Sequence, residues 1–524
     1  MKWLVCLGFC FALAAGVQAR QQAAIASAHP LATTAGHGIL ERGGNAFDAA
    51  VAVAAVLAVV EPYSSGIGGG GFFLLHRAND NKQVMIDARE TAPAGVKREQ
   101  YLDAKGRPVQ GATVRGGTSA GIPGTPAGLV HVARQYGVLP LAELLAPAIK
   151  LARDGFAVDP RYARIASMRQ QSLVREAEAA RIFLAGGAAL TAGYLLKQPE
   201  LAATLERIAE EGAAGFYEGA VASAMIQSVN AAGGVWQLSD LRNYRVVERE
   251  PVTIHFRGAR ITTAALPSAG GVALTQALGL LEHVKIDGVL DSQSAHLISE
   301  VLRRVFHDRQ YLGDPDHVKL PVAELIDRNR LKQLTASISP GAATPSTELG
   351  QPLSSRVESR NTTHFSVIDA AGNRVGATLT VNGLFGSGLV AKGTGVLLNN
   401  EMDDFTLRAD LPNSYQLRGS EANVMAPGKR PLSSMTPTFV EDGRGVLILG
   451  APGGSRSIIM VLLGVLEHVR GLEVDLERLV SLPRFHHQYW PDRLEVEPEG
   501  FSAEWRAALA AKGHTVHTSN RRWG

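Results

Sequence analysis

The chain has 524 residues, of which 46% are hydrophobic and 19% are charged, and its formal net charge is +3. A chain of this length can bury a large core. Because the charges nearly balance and no long basic run is present, the composition gives no indication of a nucleic-acid partner.

The N-terminus has the features of a secretory signal peptide. Residues 1–19 begin with Lys2, continue with an apolar run over 3–15 and end in small side chains, and the run is too short to span a bilayer. Both cysteines, Cys6 and Cys10, lie inside this segment. We therefore expect a soluble, cysteine-free mature chain, with a periplasmic or secreted location.

The next segments predict a buried helix followed by strands. Residues 46–60 are too apolar for a surface helix and fit a core helix. The glycine-rich stretch 66–71 has the spacing of a dinucleotide-binding loop, but an apolar strand at 72–75 follows it where that motif requires a helix. Close backbone packing explains the glycines better. Residues 84–91 come next, and a strand-end salt bridge is the plain interpretation of Arg89 in this stretch.

The middle of the chain alternates between helices and strands. Residues 126–230 have mainly helical periodicity, and short strands are predicted at 252–256 and 259–263. Helices return over about 272–336. Residues 337–361 are rich in Pro, Ser, Thr and Gly, which is typical of a loop or a linker.

A β-hairpin is predicted over residues 363–381, where two alternating stretches flank a turn. We take Asp369 and Arg374 as the pair that closes this turn. In that register Thr362 lies opposite Val381.

The same register places the hydroxyl of Thr380 beside that of Thr362. An internal threonine is a poor nucleophile, but cleavage of the Asn361–Thr362 bond would give Thr362 a free amine that can act as its general base. Local pattern alone leaves a plainer alternative open, namely a strand in which threonine reflects β-propensity. The preceding loop is likewise compatible with self-cleavage or with an ordinary linker.

A candidate oxyanion site follows a later strand. Residues 445–449 predict a strand and residues 457–468 a helix, with Gly453 and Gly454 between them. Backbone N–H groups at such a helix start can stabilise a developing negative charge. The same turn can also be only a tight connection.

Several short motifs follow one another in a distinctive order along the chain. They are Gly43 to Ala46, Gly68 to Phe72, Asp87 to Glu90, Pro123 to Thr125, Thr362 to His364, Asn399 to Phe405, Arg430 to Met435 and Pro452 to Arg456. This ordered set resembles the γ-glutamyltransferases (γ-glutamyltranspeptidases, glutathione hydrolases) of the N-terminal-nucleophile hydrolase class, and the similarity runs from about His29 to the end of the chain. The resemblance implies an α/β (α+β) fold, specifically a four-layer αββα sandwich.

The resemblance also implies a self-cleaving enzyme. The precursor would be cut between Asn361 and Thr362, giving a large subunit of 20–361 and a small subunit of 362–524. Thr362 would then take the γ-glutamyl group from glutathione or a related amide and pass it to water, an amino acid or a peptide. We expect no cofactor and no metal ion, and we interpret His486 and His487 as structural.

The family pattern assigns roles to residues that suit them chemically. The catalytic set comprises the nucleophile Thr362, its orienting partner Thr380, and the oxyanion-hole glycines Gly453 and Gly454. The substrate-binding set comprises Arg89, Ser433 and Ser434 for the α-carboxylate, Glu401, Asp404 and Asn382 for the α-ammonium, and Tyr415 in a lid-like loop over 408–429.

Two alternatives remain open from the sequence. A cephalosporin (glutaryl) acylase of the same family would bind a donor without the α-ammonium group that Glu401 is expected to meet. An unprocessed, inactive homologue is the second alternative, because family members usually continue beyond Gly524 through further strand-forming sequence.

Overall fold

The computed structural model of the chain describes residues 22–350, 361–407, 421–471 and 475–523. The predicted signal peptide over residues 1–19 and Tyr415 of the predicted lid lie outside these ranges. Among the described residues, no helix is both long enough and apolar enough to cross a membrane.

Helices cover both outer faces of the molecule, and most of the strands form two central sheets. The helices of the described residues are α1 (Pro30–Glu41), α2 (Ala46–Val60), α3 (Thr125–Tyr136), α4 (Leu141–Asp154), α5 (Pro160–Leu173), α6 (Ala177–Phe183), α7 (Pro199–Glu211), α8 (Ala214–Tyr217), α9 (Gly219–Ala231), α10 (Leu238–Arg242), α11 (Gly270–Leu281), α12 (Ser292–Arg309), α13 (Val322–Leu325), α14 (Arg328–Ala336), α15 (Ser346–Leu349), α16 (Arg456–Val469), α17 (Leu476–Ser481) and α18 (Ala503–Ala511). The strands are β1 (Ala24–Ala26), β2 (Gly70–Arg77), β3 (Lys82–Ala88), β4 (Phe156–Ala157), β5 (Leu184–Ala185), β6 (Ala188–Ala189), β7 (Leu195–Leu196), β8 (Val247–Arg249), β9 (Val252–Phe256), β10 (Ala259–Thr263), β11 (Thr363–Ile368), β12 (Arg374–Thr380), β13 (Val390–Ala391), β14 (Val396–Leu397), β15 (Thr438–Asp442), β16 (Gly445–Leu449), β17 (Phe485–His486), β18 (Leu494–Val496) and β19 (Val516–Thr518).

The two central sheets pack face to face. The larger has the strand order β1-β11-β12-β2-β3-β8 and the smaller has the order β16-β15-β10-β9, and every neighbouring pair is antiparallel. Side-chain alternation along β2 separates the two faces of its sheet. Phe72 and Leu74 pack with Phe439 of the other sheet, whereas Phe73 and Leu75 join the helix-side core.

Helix α2 forms the centre of one outer layer, and all 15 of its residues are buried, which confirms the predicted core helix. Its polar start is explained by a capping box. The Asn45 side chain accepts the N–H groups of Phe47 and Asp48, and the Asp48 carboxylate accepts the Asn45 N–H at 2.9 Å. The carboxylate that interrupts the apolar run therefore caps the helix.

Helices α11, α12 and α16 cover the outer face of the smaller sheet. Their apolar side chains, among them Leu274, Leu302 and Leu462, share one core with Ile261 and Val440 of the strands. With the α2 layer on the opposite side, the molecule has four layers in the order helix, sheet, sheet, helix. The predicted αββα sandwich is confirmed.

The hairpin of β11 and β12 is present, but the predicted register is wrong by one residue. Ile368 pairs with Arg374, and Thr363 pairs with Leu379. The turn closes instead between Asp369 and Asn373, whose backbone N–H and C=O are 3.1 Å apart.

The turn is shorter than expected because Gly372 takes a left-handed conformation, φ +89°, which fits a three-residue loop. The Asp369 side chain accepts the N–H of Ala371 and of Asn373. Continued past the last pair, this register places Thr362 opposite Thr380, not opposite Val381.

The glycine stretch before β2 allows close backbone contact, as predicted. A Cβ on Gly68 would lie 2.1 Å from the Leu397 carbonyl oxygen, and one on Gly69 would lie 2.0 Å from that of Thr380. A side chain at Gly69 would therefore push away the end of β12, where Thr380 lies, and one at Gly68 would push away β14.

Candidate active site

Thr362 and Thr380 meet where β11 begins and β12 ends. Their hydroxyl oxygens are 3.4 Å apart, and both hydroxyls donate to the carbonyl oxygen of Asn361, the Thr380 hydroxyl at 3.3 Å. The Thr380 hydroxyl in turn accepts the Asn382 N–H at 2.8 Å. All of these residues are buried. The Thr362 hydroxyl thus lies against the carbonyl group that it would attack during self-cleavage.

Arg89 directly follows the end of β3, which stops at Ala88. The Arg89 N–H donates to the Asp87 carboxylate at 3.0 Å, so the backbone turns out of the sheet and the side chain enters the interior. Arg89 is 1% exposed. Its guanidinium donates to Glu401 and, at 2.6 Å, to Asp404.

Carboxylates outnumber guanidinium groups around Arg89. Glu90 lies 3.5 Å from Arg89, which therefore faces three acidic side chains with Glu401 and Asp404. Burial raises the pKa of Glu401 well above its usual value, and Arg89 only partly opposes this shift. Burial also raises the pKa of Glu90 to about 7. Such a site would favour a ligand with a positive charge.

The 3₁₀ turn Glu401–Asp404 is fixed by neighbouring asparagines. The Asn399 side chain accepts the Glu401 N–H at 2.9 Å. The Asn382 side chain, on a residue with φ +66°, donates from its amide nitrogen to the Asn400 carbonyl at 2.9 Å. With the amide nitrogen in this bond, the Asn382 side-chain oxygen is the atom that can accept a hydrogen bond from an ammonium ligand.

Ser433 and Ser434 lie on a segment anchored by backbone bonds to the start of the α11 region. The Ser433 N–H donates to the Pro267 carbonyl at 2.8 Å, and the Ala269 N–H donates to the Ser433 carbonyl at 2.9 Å. The Ser433 hydroxyl accepts the Met435 N–H at 3.1 Å. The Ser434 hydroxyl is buried without a hydrogen-bond partner among the described residues.

Gly453 and Gly454 lie between β16 and α16, in the strand–turn–helix arrangement that the sequence predicts. Both have positive φ angles, +117° and +58°, which favour glycine. Within the described part of the chain, neither backbone N–H has a hydrogen-bond partner. Two free N–H groups near a nucleophile are suited to holding an oxyanion.

One cavity brings nearly all of the predicted site residues together, and we call it the Arg89 pocket. Its lining consists of Arg89, Arg309, Thr362, Thr380, Asn382, Glu401, Asp404, Ser433, Ser434, Met435, Gly454 and Ser455. Gly453 lines an adjacent cavity that also reaches Thr362. Tyr415 lies outside the described residues, so its predicted place over the pocket stays a prediction.

The Arg89 pocket also contains a residue that the sequence did not single out. Arg309 is the last residue of α12, and two other arginines of that helix, Arg303 and Arg304, are also buried. Local sequence does not distinguish these three arginines, and only the tertiary structure places one of them in the pocket.

His486 and His487 have separate partners. His486 Nε2 lies 2.9 Å from Gln488 Oε1, and His487 Nε2 lies 3.2 Å from Asp492 Oδ1. Burial lowers the pKa of His486 to about 3 and that of His487 to about 4. In the described ranges, no group of three or more His, Cys, Asp or Glu residues has an arrangement that would hold a metal ion.

Comparison with known proteins gives a consistent family match. The family model described as γ-glutamyltranspeptidase matches residues 32–524. A glutathione hydrolase proenzyme of Escherichia coli (strain K12) is 41% identical over 502 residues, which cover 95% of this chain and 86% of that protein. A glutathione hydrolase proenzyme of Pseudomonas aeruginosa is 43% identical over 459 residues, covering 86% and 80% respectively.

Solved structures share the fold. A cephalosporin acylase from Bacillus halodurans superposes with a TM-score of 0.81 at 26% identity, covering 97% of this chain and 92% of that one. A γ-glutamyltranspeptidase from Helicobacter pylori has a TM-score of 0.61 at 37% identity, covering 62% and 94% respectively.

Proposed function

The chain belongs to the γ-glutamyltranspeptidase family, and we propose from that premise that it is a self-cleaving γ-glutamyltransferase and glutathione hydrolase. In this proposal the precursor is cut between Asn361 and Thr362. The products are a large subunit of residues 20–361 and a small subunit of residues 362–524 that begins with the nucleophile.

Self-cleavage uses the threonine pair at the hairpin end. The Thr362 hydroxyl attacks the Asn361 carbonyl carbon, the peptide C–N bond breaks, and the nitrogen leaves protonated as the new α-amine. The resulting ester is opened by water. Support comes from the hydrogen bond between the Thr362 hydroxyl and the Asn361 carbonyl oxygen, and from the Thr380 hydroxyl 3.3 Å from the same oxygen.

Donor cleavage uses the same hydroxyl with a new base. The free α-amine of Thr362 takes the hydroxyl proton as the oxygen attacks the γ-amide carbon, and it then passes that proton to the leaving amine. The N–H groups of Gly453 and Gly454 hold the oxyanion; removing one such donor typically costs ~2.7–4 kcal/mol of transition-state stabilisation. Water or an acceptor amine then releases the γ-glutamyl group from its ester.

The observation that carries the choice of donor is the set of open polar atoms in the Arg89 pocket. Glu401 Oε2, Ser434 Oγ and Arg309 Nε are all buried without a hydrogen-bond partner among the described residues. Leaving such atoms unpaired costs about 1–3 kcal/mol each, and more where they are charged. A γ-glutamyl end supplies an ammonium for the carboxylate and a carboxylate for the other two groups.

A donor series tests this proposal. We expect processed protein to hydrolyse γ-glutamyl-p-nitroanilide with a much higher kcat/KM than glutaryl-p-nitroanilide, which lacks the α-ammonium group. Glycylglycine should raise the release of p-nitroaniline from the γ-glutamyl donor if an acceptor amine competes with water. A preference for the glutaryl donor would instead favour the acylase alternative, and Thr362→Ala is the blank for both.

We propose a periplasmic or secreted location for the mature chain, on the basis of Lys2 and the short apolar run within residues 1–19. Expression with and without residues 2–19, followed by cell fractionation, tests this location. Retention of the full-length product in the cytoplasm would contradict it.

A further inference from the structure

No described carboxylate forms an ion pair or a hydrogen bond with Arg309. Its side chain lies at the C-terminal end of α12, is 5% exposed and lines the Arg89 pocket. No hydrogen bond or ion pair joins its guanidinium to any described residue, and its Nε is fully buried. A cation removed from water without a partner is strongly destabilising.

The other cation of the pocket is already occupied. Arg89 contacts Glu401, Asp404 and Glu90. Asp404 attracts Arg309 from a longer range and Arg89 repels it, while burial lowers the pKa of Arg309 to about 10, so the group stays charged at neutral pH. The unmatched positive charge of the pocket therefore lies at Arg309.

We propose that Arg309 is a carboxylate-binding residue of the Arg89 pocket and that it pairs with the α-carboxylate of the donor. This inference rests on the proposed function and deepens it. The carboxylate would bind between Arg309, Arg89 and the unpartnered hydroxyl of Ser434. The ammonium would then replace part of the contact that Arg89 makes with Glu401 and Asp404 in the free protein.

Three donors separate this role from a structural one. The γ-glutamyl donor has both α-groups, the glutaryl donor has only the carboxylate, and the 4-aminobutyryl donor has only the ammonium. On processed Arg309→Met protein we expect kcat/KM to fall about 10–100-fold for the two donors that carry the carboxylate. For the 4-aminobutyryl donor it should change less than about twofold, and Arg309→Lys should restore part of the loss.

Arg304→Met provides a matched control on the same helix. Arg304 is buried but bonded to Glu300 and to the Ser337 carbonyl, so its loss should lower the thermal unfolding midpoint and affect all three donors alike. Arg309→Met should not lower that midpoint. Equal losses for all donors in Arg309→Met, or no loss for any, would overturn the assignment.

A binding measurement makes the test independent of turnover. By calorimetry, L-glutamate should bind wild-type protein at least tenfold tighter than 4-aminobutyrate, and Arg309→Met should remove most of that difference. If wild type hydrolyses the γ-glutamyl donor and the difference persists in Arg309→Met, only the Arg309 assignment fails. If wild type hydrolyses no γ-glutamyl donor, the proposed function fails, and glutamate binding still decides the role of Arg309.

Discussion

Two largely buried clusters of charged residues in this protein contain the same residue types but differ in how completely their polar atoms are hydrogen-bonded. In the α12 cluster, formed by Glu300, Arg303, Arg304, Ser346 and Asp492, both guanidinium groups and both carboxylates have hydrogen-bond partners. In the Arg89 pocket, a carboxylate oxygen, a hydroxyl and a guanidinium have none among the described residues.

The comparison shows how a binding site differs from a structural ion-pair network. A fully bonded buried network holds its parts in place and needs no ligand. An incompletely bonded one keeps a desolvation cost that a matching ligand can remove. Substitutions should therefore lower stability in the α12 cluster and lower donor binding in the Arg89 pocket.

The largest difference in stability loss is expected between substitution of Glu300 in the α12 cluster and substitution of Glu401 in the Arg89 pocket. Glu300→Gln would leave the buried Arg304 without a described ion-pair partner and Arg303 with only Asp492, and we expect a loss of about 3–5 kcal/mol in stability. Glu401→Gln should cost far less, because Arg89 keeps Asp404 and Glu90. Urea unfolding of the Glu300→Gln and Glu401→Gln variants, each in a Thr362→Ala background, measures the two losses. Equal losses would remove the distinction between the clusters.

A pH profile sharpens the role of Glu401. Burial raises its pKa well above the ordinary value, and only the ionised form can pair with an ammonium group. The kcat/KM for the γ-glutamyl donor should therefore fall as the pH drops through the raised pKa, approaching about tenfold per pH unit.

The glutaryl donor controls for the other titrating group. The α-amine of Thr362 must be neutral to act as a base for either donor, so its protonation lowers both rates. The ratio of the two kcat/KM values should thus isolate the titrating carboxylates around Arg89, Glu401 and Glu90, and its pH dependence should weaken in Glu401→Gln. A ratio that is already flat in wild type would mean that Glu401 does not meet the ammonium.

The smallest difference between the clusters is expected for the serines Ser434 and Ser346. Ser434→Ala removes an unpartnered hydroxyl, so stability should change by less than about 0.5 kcal/mol while kcat/KM for the γ-glutamyl donor falls about fivefold. Ser346 is the matched control, since its hydroxyl donates to the Tyr489 carbonyl and accepts from Arg303, at 2.6 and 2.5 Å.

Ser346→Ala should therefore destabilise the protein by about 1–3 kcal/mol and leave donor selectivity unchanged. Thermal unfolding measures the stability change of each variant, and donor kinetics measure the kcat/KM of each variant. A destabilised Ser434→Ala would show that its hydroxyl has a structural role.

Sequence patterns predicted the secondary structure well where periodicity was strong. The predicted strands 252–256 and 259–263 match β9 and β10, and the predicted helix 457–468 lies within α16. The register of the β11–β12 hairpin was missed because it depends on the left-handed conformation of Gly372. A turn one residue shorter shifts every pair in the hairpin.

The site was predictable in part. Ordered motifs contain most of the residues that line the Arg89 pocket, whereas Thr380 and Asn382 were placed there by the hairpin and by the family resemblance. The ion pairs and hydrogen bonds of these side chains were not predictable, because they depend on which segments come together in the folded protein. Arg309 illustrates this limit, because α12 contains three buried arginines and the helix pattern cannot separate the unpaired one from those that Glu300 neutralises.

The most direct test of the account is intact mass spectrometry of purified wild type, Thr362→Ser and Thr362→Ala. We predict two fragments for wild type and for the serine variant, the smaller beginning at residue 362, and one uncut chain for the alanine variant. A single intact chain in wild type, or fragments that also form in Thr362→Ala, would contradict self-cleavage by Thr362. The mechanism built on its free amine would fail with it.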